Sequence, residues 1–328
     1  MIRSRHAIPF LYALFFLSGG AGLGYQMVWS RMLTAGLGHE MPAVLAVVGA
    51  FMGGMAIGAW VLDHRIARSP QPGRWYAALE LLIGLWGWLS TALIPLLNQA
   101  AARLIGLEPS PLRHWGVAFV LPWLLLLPAT AAMGATLPAM ERFLAPRTAY
   151  GRCVGALYAA NTAGAVSGIL GCAFVMIPAI GLRQSAWVLA ATNLFCGLAM
   201  LLLGPRLSSA AAAIQTRKSS ENARPFRTAV DAALEAGCAS GIAEPVSGTR
   251  LGITIFFMGL LGIGFETVSV RALSQVLENT VYTFAAVLAV FLSGMSVGAA
   301  FYQRWGRRAA SRSLLADLLG ALSLATAE

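Results

Sequence analysis

Apolar positions along the chain fall in long blocks, and polar ones gather in the short stretches between them. Eight blocks stand out, at roughly residues 8–30, 42–62, 75–97, 115–140, 153–180, 184–204, 251–274 and 281–302. Each is close to the ~20 residues that a helix needs to cross a bilayer. A ninth begins near Leu314 and meets the last residue, Glu328, before it is complete. The pattern predicts an all-α polytopic membrane protein with about eight full transmembrane helices and a truncated ninth. The chain then reads as incomplete, or as a fragment of a longer one. Arg3 and Arg5 precede the first block as they would precede a signal peptide. The block is too long for that, and its continuation belongs to a repeat, so it is read as helix 1.

The repeat lies at a fixed offset. Residues 22–33, GLGYQMVWSRML, return at 262–273 as GIGFETVSVRAL. Gly22, Gly24, Val28, Arg31 and Leu33 meet Gly262, Gly264, Val268, Arg271 and Leu273 without a gap, while Tyr25 meets Phe265 and Gln26 meets Glu266. Farther on, Phe51, Gly54, Met55, Gly58 and Ala59 meet Phe291, Gly294, Met295, Gly298 and Ala299. ALELLIGL around Glu80 is echoed by LADLLGAL around Asp317. Two halves in the same orientation, six helices apart, are the build of many secondary transporters. Residues 1–207 are therefore expected to form a six-helix bundle. Residues 208–249, rich in Ser, Ala, Gly and Thr, form a cytoplasmic linker, with a short surface helix at 228–236. Residues 250–328 begin the second, parallel repeat.

Composition agrees: 58% of the 328 residues are hydrophobic and 11% are charged, against about 25% charged in ordinary soluble domains. The net charge of +10 could suggest nucleic acid, but its distribution gives a different reading. Arg3 and Arg5, then Arg65, Arg68 and Arg74, then Arg142, Arg147 and Arg152, then the cluster from Arg206 to Arg250, then Arg304 to Arg312, lie in alternate loops. Cations concentrate on the cytoplasmic side of bacterial inner-membrane proteins. That places this chain in the cytoplasmic (inner) membrane with its N-terminus inside, its basic loops facing anionic lipid rather than nucleic acid.

Polar residues within apolar blocks are costly in hydrocarbon and face a partner or a water-filled path. They are Gln26, Arg31, Glu80, Asn161, Asn193, Glu266, Arg271 and Asp317. Gln26, Glu266, Asn161, Tyr25, Arg31 and Arg271 are the candidate substrate-binding residues, with Glu266 the expected binder of a cation or proton. Glu266 and Arg271 stand about 140° apart on an ideal helix and so do not pair on one face. Glu80 and Asp317 sit near the starts of their blocks and are read as structural ion-pair partners of cytoplasmic arginines. Tyr25, Tyr158, Trp86 and Trp88 are candidate aromatic walls for a cationic ligand. Pro122, Pro128, Pro138 and Pro178 lie at helix depth, and Pro128 and Pro138 bracket PATAAMGATLP, a candidate cavity border. Gly54 with Gly58, and Gly294 with Gly298, place small residues on one helix face for close packing. Gly20–Gly24 and Gly164–Gly168 share this spacing. The four cysteines and four histidines show no metal spacing, and no nucleophile motif, phosphate loop or zinc motif is present. No catalytic residue, metal or cofactor is expected within residues 1–328.

FLSGGAGLGYQMVWSRML, AFMGGMAIGAW, LPATAAMGATLPAMERFL and GRCVGALYAANTAGAVSGILGCAFVMIPAIGL together resemble the membrane region of the bacterial fused major-facilitator (MFS)/spermidine synthase family. The resemblance covers about residues 10–205 and 250–305. It implies major-facilitator-like helices, transporter-like in build, with polyamines or related cationic solutes as cargo. It also implies a cytoplasmic aminopropyltransferase-like domain, which residues 1–328 do not contain. The loop after helix 2 departs from the major-facilitator pattern: Gly58 and Asp63 are one residue too far apart, and Gln303 stands where Asp63 does. The rival readings are a membrane anchor for a synthase-like domain, and an accessory subunit of a larger membrane complex. A reporter fused ahead of Met1 should be active only on the cytoplasmic side. Activity on the outer side would invert the topology read from the arginines.

Overall fold

In the computed structural model, residues 4–37, 40–106, 110–145, 152–221, 248–276 and 281–304 are described. Among them every regular element is helical. In chain order these are α1 (Ser4–Leu37), α2 (Glu40–Ala67), α3 (Pro72–Ile105), α4 (Pro111–Leu144), α5 (Arg152–Gly171), a π-helical turn (Cys172–Met176), α6 (Ile177–Glu221), α7 (Gly248–Val276) and α8 (Val281–Arg304). The helices outrun the apolar blocks at both ends, because an intrahelical ladder satisfies the backbone as well in the interface as in lipid. Prolines start two of them: Pro72 and Pro111 stand in the first turn, where a missing N–H costs nothing, and Ser110 caps α4 by accepting from the Arg113 amide.

Five segments are long and apolar enough to cross a membrane: Ile8–Ala35, Val44–Ala67, Pro72–Ile105, Pro111–Leu144 and Val154–Leu207. The last carries two of the expected blocks, 153–180 and 184–204. They meet at Gly181, whose φ of 78° is left-handed and breaks the helix between them. Either side of Gly181 exceeds the ~20 residues a crossing needs. α6 continues past Leu207 to Glu221, so the first part of the stretch read as a linker is helical. The surface helix expected at 228–236, and Asp317, lie outside the described residues.

α1 is the hub. Every residue from Gly24 to Ser30 is buried, the mark of a helix enclosed on all sides. Its glycines admit the neighbours. A side chain at Gly19 would collide with the Asn161 carbonyl of α5, and one at Gly24 would press on Leu189 of α6. The approach is mutual, since a Cβ at Gly164 or Gly168 would overlap the carbonyls of Phe16 and Gly20. α2 and α4 close in the same way: a Cβ at Gly54 would strike Thr130, one at Gly58 the Ala131 carbonyl, and one at Gly134 the Met55 carbonyl. Where apolar burial supplies little drive between helices, such backbone contact is what holds them together. At the ends of α2 and α4, Arg142 and Asp63 pair at 2.7 Å. That contact is half exposed and worth under about 1 kcal/mol.

The second copy of the repeat is built differently. Phe265, Val268 and Leu273, the counterparts of Tyr25, Val28 and Leu33, are exposed. The packing expected of Gly294 and Gly298 is corrected here: nothing described lies within 4 Å of a side chain placed at either. The reason is geometric. In the first half the partner of this glycine face is α4, and the 240-residue offset of the repeat puts the counterpart of α4 beyond residue 328. α8 instead lies along α5, where Ser296 donates to the Ala159 carbonyl at 3.2 Å.

Gly58→Val should therefore destabilise the protein by at least the 1–3 kcal/mol typical of overpacking, while Gly298→Val should stay within about 0.5 kcal/mol of the parent. Thermal unfolding in detergent measures both. Equal tolerance at the two positions would mean that the α2–α4 seam is misdescribed.

Candidate functional site in the membrane interior

The polar residues of α1 are carried to four different neighbours. Ser18, one turn below the glycines, faces α3 and donates from Oγ to Glu80 Oε1 at 2.5 Å. Tyr25 pushes its ring into a notch at Gly87 of α3, where any side chain would collide with the tyrosine hydroxyl. One turn on, Trp29 stacks under Tyr25 with ring centres 4.7 Å apart and donates from Nε1 to Ser90 Oγ at 2.8 Å. Ser90 hands its own proton to the Gly87 carbonyl at 2.6 Å. Arg31, near the far end of α1, sets its guanidinium 5.7 Å from the centre of the Tyr282 ring on α8, within the range of a cation–π contact.

Glu80 departs most from its expected role. No arginine reaches it. It stands eight residues into α3, about 12 Å along the axis, and is fully buried. Its second oxygen accepts from Asn193 Nδ2 of α6 at 2.6 Å. The Tyr76 hydroxyl lies beside the same carboxyl, fully buried but outside good hydrogen-bond geometry. The predicted ion pair is thus replaced by a neutral shell drawn from α1, α3 and α6. Ser18 and Tyr76 escaped sequence reading because small hydroxyls and tyrosines in apolar blocks are common. Asn193 was visible as an intramembrane polar residue, but its partner lies 113 positions away.

Several buried polar atoms lack a partner: Tyr25 Oη, Gln26 Oε1, Arg31 Nε, Tyr76 Oη, Asn98 Oδ1 and Asn193 Oδ1. Most buried polar groups in proteins are bonded, so each of these calls for an explanation. Tyr25 and Gln26 are adjacent on the hub helix and both are buried. Asn161 is half buried, with its main-chain and side-chain oxygens against Gly19. Arg271 is exposed on α7, and the Glu266 side chain lies outside the described residues.

The aromatic wall does not form. Trp86 donates from Nε1 to the Leu125 carbonyl of α4 at 2.8 Å, and Trp88 is half exposed on the outer surface. The proline-bracketed run of α4 borders no cavity either. It is the face packed on Gly54 and Gly58, and Thr130 and Thr136 return their hydroxyls to carbonyls of their own helix. Cys172 and Cys196 are free, buried, and set against the Gly24 and Leu14 carbonyls. They serve as small apolar residues, as expected in a helix.

No protein-family model matches the chain. Two curated proteins are similar to it, polyamine aminopropyltransferase 1 and polyamine aminopropyltransferase 2 of Ralstonia nicotianae. Each is 26% identical over 179 residues, 54% of this chain and 31–32% of its own length. The chain therefore matches only about a third of the length of these relatives. No solved structure matches.

The Trp29–Ser90 bond should be measurable as a coupling. In a double-mutant cycle of Trp29→Phe and Ser90→Ala, about 0.6 kcal/mol of interaction is expected, the average for hydrogen bonds between membrane helices. Strictly additive effects on unfolding would show that the α1–α3 contact is packing alone.

Proposed function

We propose that this chain is a membrane module of an aminopropyltransferase-like protein, major-facilitator-like in plan. Its first 207 residues are a six-helix half, its N-terminus is cytoplasmic, and residues from about 250 begin a second, parallel half. On this reading the helices carry polyamines or related small cations across the cytoplasmic membrane. The observation that carries it is the pair of unpartnered polar groups at Tyr25 and Gln26 on the hub helix. An acceptor left open in hydrocarbon suits an ammonium donor, which a polyamine has at each end. Asn161 on α5 adds a further polar group beside α1. Glu266, which the repeat places where Gln26 stands, supplies the negative charge in the second half. Arg31 and Arg271 mark the outer ends of the two equivalent helices and would keep cations from lingering there.

A second reading rests on the names of the relatives, which describe enzymes, and on the share of them that the chain matches. The helices then hold an aminopropyltransferase-like domain at the membrane and move nothing.

Flux separates the two. Proteoliposomes containing the chain should accumulate labelled polyamine above empty vesicles, and Gln26→Ala should lower that flux about tenfold, equivalent to roughly 1.4 kcal/mol. Glu266→Gln should abolish it without changing the unfolding temperature. Flux no greater than in empty vesicles would remove the transport reading and leave the anchor.

A further inference from the structure

Glu80 has no place in the polyamine reading, yet it is a costly group to keep. A carboxylate fully withdrawn from water needs either a counter-charge or a proton. Among the described residues the groups set against it are Ser18 and Tyr25 from α1, Tyr76 from α3, and Asn193 and Cys196 from α6. Of these, Tyr25, Tyr76 and Cys196 are titratable and neutral near pH 7 by their ordinary values. No charged side chain of α2 or α4 is set against the carboxyl.

The shell suits both protonation states. When the carboxyl is ionised, Ser18 Oγ and Asn193 Nδ2 donate to its two oxygens, and Tyr76 Oη stands ready as a third donor. When it is protonated, the carboxyl becomes a donor, and Asn193 Oδ1, buried and without a partner, is the acceptor one amide turn away. That orphan oxygen has no use while Glu80 is ionised. It is the second observation, and it points to a proton as the ligand.

A route lies close by. A cavity of about 430 Å³ opens where α3 begins and α6 approaches its end, lined by Gln71, Arg74, Phe143, Met200, Gly204 and Pro205. Gly73, on its wall, precedes Glu80 by two turns of α3, and Met200 follows Asn193 by two turns of α6, so each pair shares a helix face. What separates the cavity from the carboxyl is a seam about 10 Å long, closed by Ala77 against Gly197 and by Tyr76.

We propose that Glu80, within Ser18, Tyr76 and Asn193, is an intramembrane proton-binding site loaded from the cavity between the start of α3 and the end of α6. The proton comes from water in the cavity, bonds to a Glu80 oxygen, and returns to that water on release, with no other bond made or broken. The proposal stands apart from the polyamine reading, since neither Gln26 nor Glu266 takes part.

Infrared difference spectroscopy of the purified chain in lipid, titrated with pH, tests it. The expected result is a carboxylic-acid carbonyl band that is present at low pH, lost at high pH, and absent throughout in Glu80→Gln. Ser18→Ala, which keeps the carboxyl but removes a donor, should move the band to higher wavenumber. That shift assigns the band even where Glu80→Gln does not fold. Three outcomes would overturn the proposal: no band that responds to either variant; a Glu80 band that persists at every pH; or one displaced by sodium at fixed pH, which would make the site one for an alkali cation.

Discussion

Close approach of backbones to α1 is the constraint on which the rest of the bundle depends. Lipid tails are as apolar as leucine, so a helix gains little by exchanging one for the other. What it gains is contact, and contact at backbone distance requires that side chains be missing. Gly19 and Gly20 on α1, with Gly164 and Gly168 on α5, give two helices the same groove to share. Gly24 then admits Leu189 of α6, and Gly87 on α3 admits the Tyr25 ring from the other side. With these positions fixed, α2 follows through Phe51 against Trp29, 5.6 Å between ring centres, and α4 follows α2 through the second glycine seam.

Against this background the polar residues divide cleanly. Thr34, Thr130, Thr136, Thr162, Ser167, Ser185 and Thr192 spend their hydroxyls on carbonyls of their own helix. They cross the membrane as small, nearly apolar groups. Trp29, Trp86 and Asn98 reach other helices and serve as ties. Only where a ladder carbonyl or hydroxyl is not on offer do atoms stay open, and these are concentrated on α1 and around Glu80.

How much of this was legible depends on distance along the chain. The apolar blocks announced the helices, because 20 residues without charge have few other uses. Gly54 and Gly58 announced a packing face, since nothing else is gained by removing two side chains one turn apart. Which helix would fill that face was not legible: α4 is more than 70 positions away, and its small residues looked more like a cavity border. Glu80 was misjudged because its depth was measured from the start of the apolar block rather than from the start of the helix. Its donors, 62 and 113 positions off, come together only after three helices have packed. The repeat suggested equal environments for Tyr25 and Phe265, yet environment follows from neighbours, and a local motif does not carry its neighbours with it.

The π turn at Cys172–Met176 sets a rule for the length of this segment. A wide turn fits one extra residue into the rise of an α-helical turn. Here it lets Cys172 meet the Gly24 carbonyl while Phe174, two residues on, lies 5.3 Å from the Tyr282 ring of α8. Losing one residue from the turn would restore ordinary pitch. Everything after it would then rotate by about 100° relative to α1. Gly181 would break the chain in a different direction, and α6 would leave α3 behind. Single-residue deletions should therefore be far rarer in this turn than conservative substitutions, and a lineage that lost the turn would have to re-cut the whole face of α6 to keep its bundle closed.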